Sequence, residues 1–273
     1  MKVEIEIQNS RYCADLDRAI SIAIEMDFDG PQPSHFGADP ARREPMKVGE
    51  FIGRTKLGGS CNVDVLKINP HCNGTHTETV GHIVDENVSV ADKAMRSLFA
   101  ARLITVQSQP VGNTSDSYRP TLEDNDRVID AVTLQSKIEC ELGNAGIEAL
   151  VIRSLPNSST KLARKYGAED CPAFFTIEAM EYIVSLGIEH LLVDLPSVDR
   201  LNDSGKMTNH HIFWQLETET PEPKTLPANT ITEMIYVPDA VSDGLYLLNL
   251  QVPALITDAA PSRPILFPLL ELQ

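Results

Sequence analysis

The chain has 273 residues, 42% apolar and 23% charged, the balance of a soluble globular protein long enough to bury a large core. Asp and Glu number 39 against 23 Lys and Arg, a net charge of −16, which repels phosphate backbones and anionic lipid surfaces and suits a cation. The longest apolar runs, Ala149 to Ile152 and Ile265 to Leu270, fall far short of the roughly 20 residues of a membrane helix, and the opening MKVEIEIQNS is not laid out as a secretion signal.

Val3, Ile5 and Ile7 alternate with Glu4 and Glu6, the period of a strand, and Ala19 to Met26 alternates similarly around Ile20, Ile22 and Ile24. From Asp27 to Met46 the chain is rich in Pro, Gly, Asp and Arg and reads as a long irregular loop, the kind that serves as a lid or binding loop. Leu103 to Gln107 reads as a strand, separated by polar Ser108 to Asp126 from a helix over Leu134 to Leu142 that Gly143 stops. Glu148 to Arg153 is strand-like. Thr176 can cap a helix whose apolar face is Ile177, Met180, Ile183 and Val184, with Gly187 suited to the left-handed position past its end. His190 to Asp194 reads as a buried strand, Glu217 to Pro227 as a loop with three prolines, and Thr230 to Val237 as another strand. Helices and strands alternating at this spacing predict parallel strands joined by helical crossovers, in one α/β domain over residues 1–273. Functional groups in such sheets collect past the carboxyl ends of strands, where Asp194-Leu-Pro-Ser-Val-Asp199 and then Asn209-His210-His211 fall.

Five cysteines (Cys13, Cys61, Cys72, Cys140 and Cys171) form no CxxC pair, and reduced thiols in a cytoplasmic protein explain them better than disulfides. Three of the seven histidines fall within His71-Cys-Asn-Gly-Thr-His76-Thr-Glu78-Thr-Val-Gly-His82, where an even spread would place about 0.3. In an extended segment His76 and Glu78 project on one face and can reach one ion, while Gly74 and Gly81 permit turns that bring His71 and His82 inward. Imidazole with carboxylate suits zinc or manganese better than magnesium or calcium. Surface histidines in a polar loop are the competing explanation. No HExxH helix is present, which argues against a zincin-type protease.

The window resembles the His-x-Gly-Thr-His-x-Asp-x-Pro-x-His signature of the cyclase/kynurenine formamidase family of metal-dependent hydrolases. Asp194-Leu-Pro-Ser-Val-Asp199 is similar to its D-x-P-S-x-D segment, and His210-His211-Ile-Phe to the later His followed by apolar residues. Ile231-Thr232-Glu233 is similar to the apolar stretch ending in a metal-binding Glu, and Ala260-Pro-Ser-Arg-Pro264 to the S-P-x-R element before the last strand. The resemblance implies a swivelling β/β/α fold, a mixed sheet with helices packed against it, and a homodimer. It implies that His71, His76 and Glu78 bind one ion, that Glu78, His210 and Glu233 hold a second where two are present, and that His82 is the general base and acid. The frame favours His210 over the adjacent His211. Zinc is the favoured metal, with manganese the alternative.

Two departures from the signature stand out: Glu78 replaces Asp, and the gap from His71 to His76 is one residue longer. A longer carboxylate arm can compensate for the shifted turn; alternatively Cys72 or Asn73 takes the place of His71. Val80 stands where the family has proline. The implied reaction is hydrolysis of an amide or cyclic amide of a small molecule by a metal-activated water, with His82 protonating the departing nitrogen and arylformamidase-like activity as the leading expectation. A non-catalytic metal-holding protein that binds small molecules is the rival reading, and a metal-free structural subunit a third. Neither nucleic acid nor membrane is an expected partner.

Other residues fit plainer roles. Cys72 has no identifiable oxyanion element or orienting partner as a nucleophile. His35 reads as an exposed loop histidine, His190 as a satisfied structural one, and Trp214 as core. Asp194 and Asp199 are candidates to orient a histidine ligand, or simple turn formers beside Pro196.

Overall fold

The computed structural model describes residues 1–93, 96–139, 146–216 and 226–272. Among these, eleven strands form the main sheet: β1 (Lys2–Ile7), β2 (Ser10–Asp15), β3 (Ile20–Ser21), β4 (His76–Glu78), β5 (Leu98–Gln107), β6 (Ala149–Leu155), β7 (His190–Val193), β8 (Thr230–Glu233), β9 (Gly244–Asn249), β10 (Ala259–Pro261) and β11 (Ile265–Glu271). Their order is β1-β2-β11-β9-β5-β6-β7-β8-β4-β10, with β3 beside β11. Strands β5 to β8 run parallel, and every other pairing in this sheet is antiparallel. Four helices matter to the site: α1 (Pro70–Asn73), α2 (Ala131–Glu139), α3 (Ile177–Ser185) and α4 (Thr208–Phe213).

Parallel strands are covered on both faces, which is why Ala149 to Ile152 and Leu191 to Val193 are unbroken apolar runs. Leu150 and Ile152 enter a core completed by Leu134 and Ile138 of α2, Ala179, Met180 and Ile183 of α3, and Phe213 and Trp214 at the end of α4. Ala149 and Val151 point the other way, into a second core with Ile22, Leu103, Ile235, Tyr246 and Leu248. Truncating a fully buried residue such as Leu150 to Ala would cost about 2–5 kcal/mol. The fold is thus a mixed α/β domain built on one large sheet.

Several predicted elements change at their edges. Helix α3 starts at the expected cap, Thr176 Oγ1 accepting the Ala179 N–H at 3.2 Å, and Gly187 lies beyond it at φ +70°. Helix α2 starts three residues earlier than predicted, and the predicted stop at Gly143 lies outside the described residues. Most of the predicted loop from Glu217 to Pro227 does too. Of Ala19 to Met26 only Ile20–Ser21 joins the sheet as a strand, because Ala23 bridges Ile235 instead. Strand β8 stops at Glu233 because Met234 turns at φ +51°, its N–H donating to Leu195 O at 2.9 Å. The long N-terminal loop is shorter than read: Arg42–Pro45 pairs antiparallel with Asp64–Lys67.

Candidate metal centre

Helix α1 begins with Pro70 in its first turn and carries His71 and Cys72. After Gly74 the chain extends into β4, which places His76 and Glu78 two residues apart on one face. Strand β8 pairs antiparallel with β4 so that Glu233 lies opposite His76, and β10 pairs on the other side with Pro261 opposite His76. Thr75 locks this junction: its hydroxyl accepts the Ile24 N–H at 2.9 Å and donates to Met234 O at 2.5 Å. Beyond β4 the chain turns through Val80–His82; a Cβ at Gly81 would come within 2.8 Å of Val88 O, so only glycine makes this turn without a shift.

The structure therefore brings together His71, His76, Glu78, His82, His210 and Glu233 from α1, β4 and the turn after it, α4 and β8. Ligand atoms of His71, His76 and Glu78 all lie within 4.8 Å of one another, as do those of Glu78, His82 and His210. Glu78 is fully buried, its Oε1 2.9 Å from His210 Nε2 and its Oε2 3.0 Å from His71 Nδ1. His76 Nδ1 donates to Gly74 O at 2.9 Å, which turns Nε2 toward the other side chains of the site. That Nε2 is buried without a hydrogen-bond partner, 3.5 Å from Glu233 Oε2. A buried imidazole nitrogen without a hydrogen-bond partner, beside a carboxylate, is a donor set that fits a divalent metal.

Carboxylates outside the ring of candidate ligands orient the imidazoles. Asp199 Oδ2 accepts from His210 Nδ1 at 2.5 Å and directs Nε2 toward Glu78. Glu233 Oε1 accepts the Val198 N–H at 2.9 Å, so the Asp194–Asp199 loop positions a histidine and a glutamate together. Asp194 does not share that role: its Oδ2 accepts from the buried Lys161 Nζ at 2.7 Å and the Ser154 N–H at 2.9 Å, and it bonds no histidine among the described residues. Of the adjacent pair, His210 reaches the cluster, whereas His211 lines a surface groove with Ile177 and Ile212.

Asp258 is a member of the cluster that sequence reasoning missed. Its Oδ2 lies 2.8 Å from His71 Nε2 and 3.5 Å from His82 Nδ1, whose two rings stack at 4.2 Å. The only signal was its position just before the Ala260-Pro-Ser-Arg-Pro264 element; pairing of β10 with β4 carries it in. Burial opposes charge on His71, but hydrogen bonds to Asp258 and Glu78 outweigh it and push the ring up to about 10. Burial also opposes charge on His210, and the Glu78 and Asp199 carboxylates hold its ring well above the ordinary value. The hydrogen bonds from His71 and His82 drive Asp258 well below the carboxylate range.

A cavity of about 310 Å³ opens onto this cluster, lined among others by His71, His82, Cys72, Pro196, Met207 and His35. The expectation for His35 is overturned: its side chain is buried, because the loop is pinned by the His35 N–H to Cys72 O at 3.1 Å and by Asn73 Nδ2 to Asp39 O at 2.9 Å. Asn73 is therefore occupied away from the cluster. Burial, with the charge of Glu233 next, raises the Cys72 thiol pKa, the opposite of an activated nucleophile. His190 is a satisfied core histidine, Nδ1 2.8 Å from Thr230 Oγ1, and Trp214 is core, its indole N–H donating to Asn229 O at 3.0 Å.

These features define a metal-site α/β fold, and the family follows from comparison. The family model described as "Putative cyclase" matches residues 18–200, and the chain belongs to that family. A "predicted metal-dependent hydrolase" of Bacillus stearothermophilus superposes with a TM-score of 0.55 at 14% identity, covering 91% of this chain and 97% of that one. Isatin hydrolase A of Labrenzia aggregata superposes at 0.58 and 14% identity, covering 92% and 93%. An isatin hydrolase bound to the product analogue thioisatinate reaches 0.60 at 13% identity, with coverage of 92% and 93%. At such identities the likeness is one of fold. No curated protein matches the chain by sequence. No described helix is long and apolar enough to cross a membrane.

Proposed function

We propose that this chain is a metal-dependent hydrolase that cleaves the C–N bond of a small amide, with cyclic amides of the isatin type and N-formyl aromatic amines as the leading substrates. The observation that carries the reading is the buried His76 Nε2, without a hydrogen-bond partner and 3.5 Å from Glu233 Oε2, beside the His71 and Glu78 ligand atoms. His71, His76 and Glu78 would hold one divalent ion, zinc or manganese, and Glu78, His210 and Glu233 a second. A bound ion of this kind supplies Lewis acidity toward a carbonyl and lowers the pKa of water from about 15.7 to about 7.

The remaining chemistry falls to this chain's own side chains. His82 lines the cavity with about a quarter of its side chain exposed, and Asp258 faces its Nδ1, while Nε2 has no hydrogen-bond partner among the described residues and would serve for proton transfer. Water adds to the carbonyl carbon and loses a proton to His82 Nε2; the same nitrogen returns the proton to the departing amine as the C–N bond breaks. The cavity size fits a single small ring system. A homodimer, expected from the family resemblance, and a cytoplasmic location, expected from the unpaired cysteines, belong to the same reading.

The test joins elemental analysis to a substrate panel of isatin and N-formylkynurenine-type amides, with zinc and manganese supplied separately and removed by chelator. Bound metal with chelator-sensitive turnover supports the hydrolase. Bound metal without turnover across the panel favours a metal-holding binding protein, and protein without metal overturns the site.

A further inference from the structure

His35 is unusual among the buried polar groups. It is 2% exposed and neither ring nitrogen has a hydrogen-bond partner among the described residues. The ring lines the same cavity as His71, His82, His210 and Glu233, and it leans on Phe36 with centroids 4.1 Å apart. Phe36 itself is exposed and turns at φ +54°, followed by Gly37 at φ +64°, so the chain doubles back there at the edge of the cavity. An imidazole carries one donor and one acceptor when neutral, and leaving both unpaired in the interior is unfavourable. Nothing in the fold requires a polar ring here: the backbone N–H to Cys72 O and the backbone carbonyl to Ala38 N–H pin the loop whatever the side chain. The remaining group able to pair with it is whatever fills the cavity.

We propose that His35 is a substrate-positioning residue, its ring N–H donating to a carbonyl or carboxylate oxygen of the small amide, or ring-opened acid, held in the cavity. The inference rests on the hydrolase reading and adds a contact from the N-terminal loop, whose backbone is tied to Cys72 of α1. Burial disfavours the charged ring, its pKa being pulled down to about 4, so the contact is a hydrogen bond from a neutral imidazole.

The experiment uses the full-length, metal-loaded protein and its His35→Phe and His35→Gln variants. Titration with thioisatinate by calorimetry reads binding without turnover, isatin hydrolysis reads KM against kcat, and nitrogen-15 NMR of labelled histidine reads the ring. His35→Phe should weaken thioisatinate binding roughly tenfold or more and raise KM more than it lowers kcat, with metal stoichiometry and Tm unchanged or Tm raised. His35→Gln, which keeps a donor, should recover part of the binding, and the His35 nitrogen signals, assigned by their loss in His35→Phe, should move when the ligand is added. Parent-like binding in His35→Phe, or His35 signals that ignore the ligand, would overturn the assignment while leaving the hydrolase reading intact. A parent protein that hydrolyses neither isatin nor N-formylkynurenine-type amides and does not bind thioisatinate would overturn both.

Discussion

Replacing Asp199 with Asn tests whether the histidine geometry is built for a metal. Asp199 Oδ1 accepts from Tyr118 Oη at 2.6 Å and the Asn209 N–H at 2.7 Å; Oδ2 accepts from His210 Nδ1 at 2.5 Å and the His210 N–H at 3.3 Å. Four donors converge on two oxygens, and an amide of the same shape offers only one oxygen. With NH2 toward His210, the ring must accept at Nδ1, which moves its proton to Nε2, the nitrogen facing Glu78. With NH2 toward Tyr118, the Asn209 N–H loses its partner and His210 is held by a neutral carbonyl in place of a carboxylate. Either arrangement weakens His210 as a ligand, and changes of this kind cost 10–100-fold in metal affinity, about 1.4–2.8 kcal/mol. The assay is competition for zinc against a chromogenic chelator, parent beside Asp199→Asn, with circular dichroism to establish that both are folded. A folded variant that binds zinc as tightly as the parent would show that Asp199 merely caps α4 and that the orienting argument is wrong.

Other outcomes follow from the same contacts. His82→Ala should retain metal and lose roughly 10²–10⁴-fold in kcat, because His82 is assigned to proton transfer; loss of metal instead would make it a ligand. In chelator-treated protein, His71, raised to about 10, contributes stability fully present below its unfolded value near 6.5 and lost as pH rises toward 10, while the depressed Asp258 contributes stability lost as pH falls below about 4. Thermal melts should therefore give a higher Tm at pH 6 than at pH 9, and His71→Gln should flatten the difference; an equally steep fall in that variant would place the titration elsewhere. Lys161→Met should destabilise by about 3 kcal/mol, since Asp194 would be left buried without its cation. Urea denaturation reads this directly, and a midpoint within error of the parent would mean that Asp194 is protonated in the native state, as its burial-raised pKa allows.

What could be read before the fold was known depends on the range of the interactions involved. The Thr176 cap, the Gly187 stop and the apolar runs of β6 and β7 are written in neighbouring residues, because capping and two-sided burial act over one helical turn or one strand. The crowding of His71, His76 and His82 and the two-residue step to Glu78 were visible for the same reason. The helical crossovers around β6 and β7 were legible too, though not the antiparallel strands that flank them, since strand direction is set by which edge the chain returns to.

Which distant groups meet is settled by long-range strand pairing and burial. Glu233 lies opposite His76 through a register that no local pattern carries, and Asp258 arrives because β10 adds to the far side of β4. Separating His210 from His211 took the turn of α4, which puts neighbours on different faces, and moving His35 from solvent to the cavity wall took its backbone bond to Cys72 of α1 and the Asn73 side chain's bond to Asp39. Residue types and short spacings state what chemistry a chain can support; long-range pairing and burial select the side chains that are placed to perform it.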